Sequence, residues 1–277
     1  MEPLARRLYR LYEPIHLVTM FCDEPSQAQV ELGLRDNYWD GYFASRSAPL
    51  GRVPAEVVHA LFYNFAAGEV ARHIPRVWDT VTPDQALDAR QRGSVAALRR
   101  ILGDLADGPG VTRAADLATT AATSAPTEGR ALYAGLRTLP VPAEPLARLW
   151  HAATLLREHR GDGHIAALVT EGIGGTESHV LHALAQGMPA EKFGRVHHLP
   201  AAQLAGVVDG MRARGLVDAA GGLTDAGREK KARVEALTDD LAAAPWDALA
   251  PDEVDRLVAD LEPLTDALGA GGIEKPV

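Results

Sequence analysis

The run Arg157-Glu-His-Arg-Gly-Asp-Gly-His164 packs acids, bases and imidazoles more densely than any other stretch of this chain. A carboxylate beside imidazoles can shuttle a proton, ligate a metal or receive a polar ligand. His151 and His159 are eight residues apart and share one helix face if the helix continues through them. Gly161 and Gly163 allow the chain to turn sharply, and Asp162 could cap a following helix with His164 in its first turn. The expectation is a corner that folds Asp162 and His164 back towards Glu158 and His159. Seven of the ten histidines lie between His151 and His198, so imidazole chemistry is a natural candidate. No HExxH or comparable ligand spacing accompanies them. The bland alternative is an internally paired ionic joint.

A second group lies in the first half. Tyr42, Arg46, Tyr63 and Asn64 put polar tips on otherwise apolar segments, with Trp39 nearby. Buried Tyr and Asn require partners. The candidate ligand-binding set is therefore Tyr42, Arg46, Tyr63, Asn64, His151, Arg157, Glu158, His159, Asp162 and His164, converging on one cleft. His59 and His182 read as core histidines, and Cys22 as a plain thiol.

The elements that must position these residues read as helices. Apolar residues make up 47% and aromatics 5%, with Ala, Leu and Val dominant, which suits packed helices. Leu4, Leu8, Leu11 and Tyr12 recur at helical spacing, and a long helical segment is expected over residues 26–47. Thr82 and Pro83 open a helix towards Ile101. Gly, Asp and Pro over residues 103–110, and Pro140, Pro142 and Pro145, mark a linker. The expected organisation is residues 1–102, a degenerate winged-helix-like domain; residues 103–145, a linker with some helix; and residues 146–277, a winged-helix domain. An ordered series of short matches, Gly41-Tyr-Phe-Ala44 with Gly163-His-Ile-Ala166 and Val57-Val-His-Ala-Leu61 with Val180-Leu-His-Ala-Leu184, suggests an internal duplication placing Tyr42 opposite His164.

Residues 177–241 carry a specific order: helices over 178–185, 189–196 and 201–214, a strand at Leu216-Val217, a tight turn, a returning strand at Leu223-Thr224, then a long helix. The run Val207-Val-Asp-Gly-Met-Arg-Ala-Arg-Gly-Leu-Val217, with Leu223-Thr-Asp-Ala-Gly-Arg228 and Val234-Glu-Ala-Leu-Thr-Asp239, resembles the multiple-antibiotic-resistance regulator (MarR) type of winged helix-turn-helix. That resemblance implies a third helix entering the DNA major groove, a wing on the phosphate backbone or minor groove, and a long dimerising last helix. The whole chain resembles an actinobacterial group of helix-turn-helix proteins, through Phe62-Tyr-Asn-Phe65 and Leu149-Trp-His-Ala-Ala-Thr-Leu-Leu-Arg-Glu-His-Arg-Gly-Asp-Gly-His164. The expected fold is thus mainly α, with tandem, duplicated winged-helix-like domains and a small two-stranded β-wing.

Charge argues against a DNA reader. The chain carries −9 at neutral pH, and the third helix offers only Gln203 to base edges, beside the acid Asp209. A single cysteine precludes an internal disulfide framework. No apolar run approaches a membrane span or a leader, so the expected compartment is the cytoplasm. The leading functional expectation is a small-molecule-binding protein with a polar cleft around residues 157–164, as monomer or homodimer. The alternatives are a MarR-like DNA-binding regulator and a metal- or haem-assisted enzyme using the same cluster; neither ligand, cofactor nor reaction is named by the sequence.

Overall fold

The computed structural model describes residues 2–192 and 199–273. Its helices are α1 (Leu4–Phe21), α2 (Asp23–Val30), α3 (Tyr38–Ser47), α4 (Ala55–Phe62), α5 (Pro83–Leu102), α6 (Pro109–Ser124), α7 (Ala131–Arg137), α8 (Pro145–Thr170), α9 (Gly175–Ala185), α10 (Ala201–Ala213), α11 (Asp225–Leu241) and α12 (Pro251–Ala270), joined by short 3₁₀ turns. The mainly helical reading stands.

The 26 residues of α8 span roughly 39 Å at 1.5 Å per residue and run past three apolar clusters. Its first half packs with α1 and α6, on which α12 in turn packs, in a cluster that includes Leu149, Leu155, Leu8, Ile15 and Leu261. Its last turns join α9, α10 and α11 through Leu168, Val180, Met211 and Val234. The third cluster, around Phe43, Val58, Phe62, Phe65 and Trp78, belongs to α3, α4 and the chain up to α5. The polar middle of α8 lies where the three meet.

Local signals explain the starts. The Thr82 hydroxyl accepts the Gln85 amide at 3.2 Å while the Gln85 side chain accepts the Thr82 amide at 2.9 Å, a capping box for α5. Glu144 accepts two backbone amides at the head of α8. Thr224 caps α11 through the Gly227 amide.

Four expectations are corrected. The segment 26–47 is two helices, because Gly33 adopts φ 93° and Asn37 caps α3 through the Asp40 amide at 3.0 Å. The two-stranded wing is absent: one isolated antiparallel bridge, Val217 with Leu223, stands in its place. The Asp218 side chain and backbone close the intervening turn on Gly222, and the Thr224 amide donates to the Leu216 carbonyl at 3.1 Å on the other side of the bridge. The tandem winged-helix architecture falls with it, since the described residues contain no strand. Finally, the corner at Gly161 and Gly163 does not exist, because α8 runs straight through both. Interior glycine costs a helix up to about 1 kcal/mol, but a Cβ on Gly163 would meet Arg130 Nη1 at 2.8 Å and the Leu241 Cβ at 3.2 Å. The bare backbone admits Arg130, which donates to the carbonyls of His159 and Leu241 and ties α8 to α11.

The proposed duplication is not established. Gly41 lies in a ten-residue helix and Gly163 in a 26-residue one. Of the expected second helix over 189–196, the described part is a single 3₁₀ turn, Ala190–Lys192. Residues 193–198, with His197 and His198, lie outside the described residues.

Candidate functional site

With α8 continuous, Arg157, Glu158, Gly161, Asp162, His164 and Ile165 line one stripe of it at steps of three, four and seven. That stripe forms one wall of a cavity of about 260 Å³. The opposite wall comes from α3 and the end of α4, with Tyr38, Trp39, Tyr42, Arg46, Phe62, Asn64 and Phe65, and His179 of α9 completes it. The rings pack edge to face and offset, as Trp39 does on Tyr42 (5.4 Å) and Phe43 on Phe62 (6.0 Å).

Glu158 anchors the charged side. It is 1% exposed, and Arg46 grips it with two parallel bonds, Nε to Oε1 and Nη2 to Oε2, both 3.1 Å. Arg157 Nη1 donates to Oε2 at 3.1 Å. Burial alone would push this carboxyl up, but the two guanidiniums outweigh it and hold it well below the usual carboxylate range. For the same reason the Arg46 guanidinium is pushed up despite its burial. Its remaining nitrogen, Nη1, donates to the Tyr42 hydroxyl at 2.8 Å, and its plane lies 4.2 Å over the Phe62 ring.

Asp162, one turn further along, behaves differently. Its Oδ2 accepts the Tyr133 amide at 3.0 Å, near the head of α7. Burial pushes its carboxyl up to about 6, against that amide. His164 bonds Thr238 Oγ1 through Nδ1 at 2.9 Å. The Thr238 hydroxyl donates to the Val234 carbonyl at 2.7 Å, so it accepts from His164, whose Nε2 is left as an acceptor. Burial pulls the His164 imidazole down to about 4.

The structure thus brings together Tyr42, Arg46, Asn64, Arg157, Glu158, Asp162 and His164. It leaves three candidates outside the cavity wall. His159 turns away and packs edge-on to Tyr133 at 5.0 Å, with burial pulling it down to about 3. His151 is buried further up α8 and pulled down to about 4 by burial and Arg90. Tyr63 donates to the Ile173 carbonyl at 2.6 Å and, with φ 58°, ends α4 so that Asn64 follows into the wall.

Sequence reasoning missed the layer beneath. Glu13 and His16 of α1 and Arg90 of α5 are buried behind the Glu158 pair. Arg157 Nε approaches Glu13 at 3.5 Å. His16 bonds Thr154 at 3.1 Å, and Arg90 lies 5.6 Å over the Trp150 ring. Burial pushes Glu13 up and Arg90 down to about 10. Each stands among other polar residues of its helix, with nothing local to mark it as buried, and the partners of Glu13 and His16 lie more than a hundred residues away. Phe62 and Phe65 did carry a signal, since Phe62-Tyr-Asn-Phe65 is among the densest aromatic runs of an aromatic-poor chain.

A family model described as a helix-turn-helix family matches residues 5–275. The chain belongs to that family. No curated protein and no solved structure gives a significant match. The match is to the helix-turn-helix family and does not single out the MarR type, and a fold does not assign an activity. In this helix-turn-helix protein α10 exposes Ala201, Ala202, Gln203, Ala205, Gly206, Asp209 and Gly210. Arg212 is engaged by Asp209 and the Asp218 carbonyl, and Arg214 by Glu177 and the Gly172 carbonyl. Among the described residues, no helix is long and apolar enough to cross a membrane, and no three His, Cys, Asp or Glu side chains cluster as metal ligands.

Proposed function

We propose that this helix-turn-helix protein binds a small organic molecule in the cavity between α3, α4 and the middle of α8. The supporting observation is the combination of an aromatic wall with polar groups that the protein has not satisfied internally. A purely structural joint would close on itself, as Arg46 and Glu158 do. Asp162 Oδ1 and His164 Nε2, by contrast, have no protein partner and belong to residues on the cavity wall. Mostly apolar walls with a few convergent polar groups are the usual make-up of a ligand site. At about 260 Å³ the space is just under the ~300–1,000 Å³ of drug-sized sites, and suits one ring with a short side chain.

Gly161 supplies the test. A Cβ there meets nothing closer than Glu158 Oε2 at 3.4 Å and points to the cavity side of α8. Gly161→Leu should fill the space, keep the Arg46–Glu158 pair and raise helix stability by up to about 1 kcal/mol. Saturation-transfer NMR with single-ring fragments should show binding to the parent and none to Gly161→Leu, with melting temperature equal or higher. Identical fragment binding by both proteins would dismiss the cavity as the site.

A DNA-binding reading draws support from family membership. The exposed face of α10 argues for the weaker form of it, because base readout needs bidentate donors and acceptors that this face lacks. A gel-shift titration at physiological salt should show no sequence preference above nonspecific background; nanomolar, operator-specific binding would overturn that expectation.

A further inference from the structure

We propose that the cavity selects a single-ring aromatic compound carrying a primary ammonium group over the corresponding carboxylic acid, with Asp162 and His164 receiving the ammonium hydrogens. The proposal rests on the reading of the cavity as a ligand site and adds the chemistry of the ligand.

It follows from which hydrogen-bonding groups are already committed. Nε and Nη2 of Arg46 go to Glu158 and its Nη1 goes to Tyr42. Both oxygens of Glu158 are taken by Arg46 and Arg157. The Arg157 Nε faces Glu13. The cations that could attract an acid are therefore neutralised by carboxylates of the same protein. Hydroxyl and guanidinium hydrogens remain on the α3 side, but among the charged groups of this wall the one without an ion pair is an acid. Asp162 is more than nine-tenths buried, and its Oδ1 has no protein partner. The His164 Nε2 is a lone pair, by the tautomer that Thr238 imposes. Two uncommitted acceptors ask for a donor-rich head group.

The walls agree. Five aromatic side chains, Tyr38, Trp39, Tyr42, Phe62 and Phe65, border the space, and ring faces favour cations. Arg46 over Phe62 already shows a cation resting on one of them. The groups acting on Asp162 are Glu158 of its own helix, Arg46 from α3, Arg130 before α7 and the Tyr133 amide. None of these cations bonds its Oδ1, so an incoming ammonium would be its one charge-assisted partner.

The test compares phenethylamine, phenylacetate and 2-phenylethanol, which differ only in the head group, by calorimetric titration of the full chain at pH 7.5. The amine should bind the parent about tenfold or more tightly than the acid, the scale of one charge-assisted hydrogen bond. Asp162→Asn retains an oxygen for the Tyr133 amide, and should erase that preference while leaving the alcohol unchanged. Should Asp162→Asn fail to fold, the amine-to-acid ratio of the parent decides alone. Acid binding equal to or tighter than amine binding overturns the proposal, as does an unaltered preference in Asp162→Asn. If the three compounds bind equally and Gly161→Leu abolishes all of them, amine selectivity is wrong and the ligand site stands. If no single-ring compound of any charge binds the parent, both readings fall.

Discussion

Acidification from pH 7 to pH 4.5 should unfold this protein cooperatively. Five histidines, His16, His151, His159, His164 and His179, are held below the ordinary imidazole range, in each case chiefly by burial. A histidine whose folded pKa is depressed is neutral in the fold, while the unfolded chain takes up its proton from about 6.5 downwards. Stability is therefore intact above that value and is lost as pH falls towards the folded values of about 3 to 4. At pH 5 each such imidazole costs about 2 kcal/mol. Several together consume much of the ~5–15 kcal/mol that holds a domain folded. Asp162 works the other way, since its carboxyl is raised to about 6 and the fold gains as it protonates. Glu13, also raised, adds to that opposing effect. Two acids do not offset five imidazoles. Near-ultraviolet circular dichroism should disappear with a midpoint between about pH 6 and 4.5, and His159→Phe, which replaces one buried ring by another without a proton site, should shift the midpoint to lower pH. A native spectrum persisting at pH 4 would show that these rings are not buried neutral.

The second large effect belongs to Glu158. Glu158→Ala removes the carboxylate and strands Arg46 in a buried site, while half-buried Arg157 keeps only Glu13. Breaking a buried ion pair from one side costs about 3–5 kcal/mol, because the surviving charge stays desolvated. Replacing both partners by apolar side chains of similar volume is often close to neutral. The double variant Arg46→Met, Glu158→Leu should accordingly lose less stability than Glu158→Ala alone, and the cycle should show strong coupling. Urea titrations with unchanged slope measure both. A loss under about 1 kcal/mol for Glu158→Ala would mean that water reaches the pair, placing it among surface bridges.

Much of the site was legible because its residues sit on one helix. Arg157, Glu158, Asp162 and His164 announce themselves as charge in an apolar setting, and Tyr42 and Arg46 share a face at spacing four. The shape of that helix was not legible. Two glycines around an aspartate read locally as a break, and the reason they are not one is Arg130, which needs the open backbone beside Gly163. That contact joins positions about thirty residues apart and leaves no periodic trace. The bridge between Val217 and Leu223 shows the converse: the pattern read as two strands and a turn forms no strand, only one bridged pair whose turn is closed by Asp218 on Gly222. The meeting of Tyr42 with His164 arises through the Arg46–Glu158 clamp between α3 and α8; no duplicated architecture is required. The histidines divide by helix phase, with His164 on the cavity side of α8 and His159 turned onto Tyr133.

The most direct measurement is crystallographic. Crystals of the parent and of Gly161→Leu, soaked in one library of single-ring fragments, should differ at one place. Difference density is expected in the parent between the Tyr42 and Trp39 rings and the Asp162 and His164 side chains, and none there in Gly161→Leu. A parent cavity holding only water across the library, or fragments seated in the same positions in both proteins, would contradict the account.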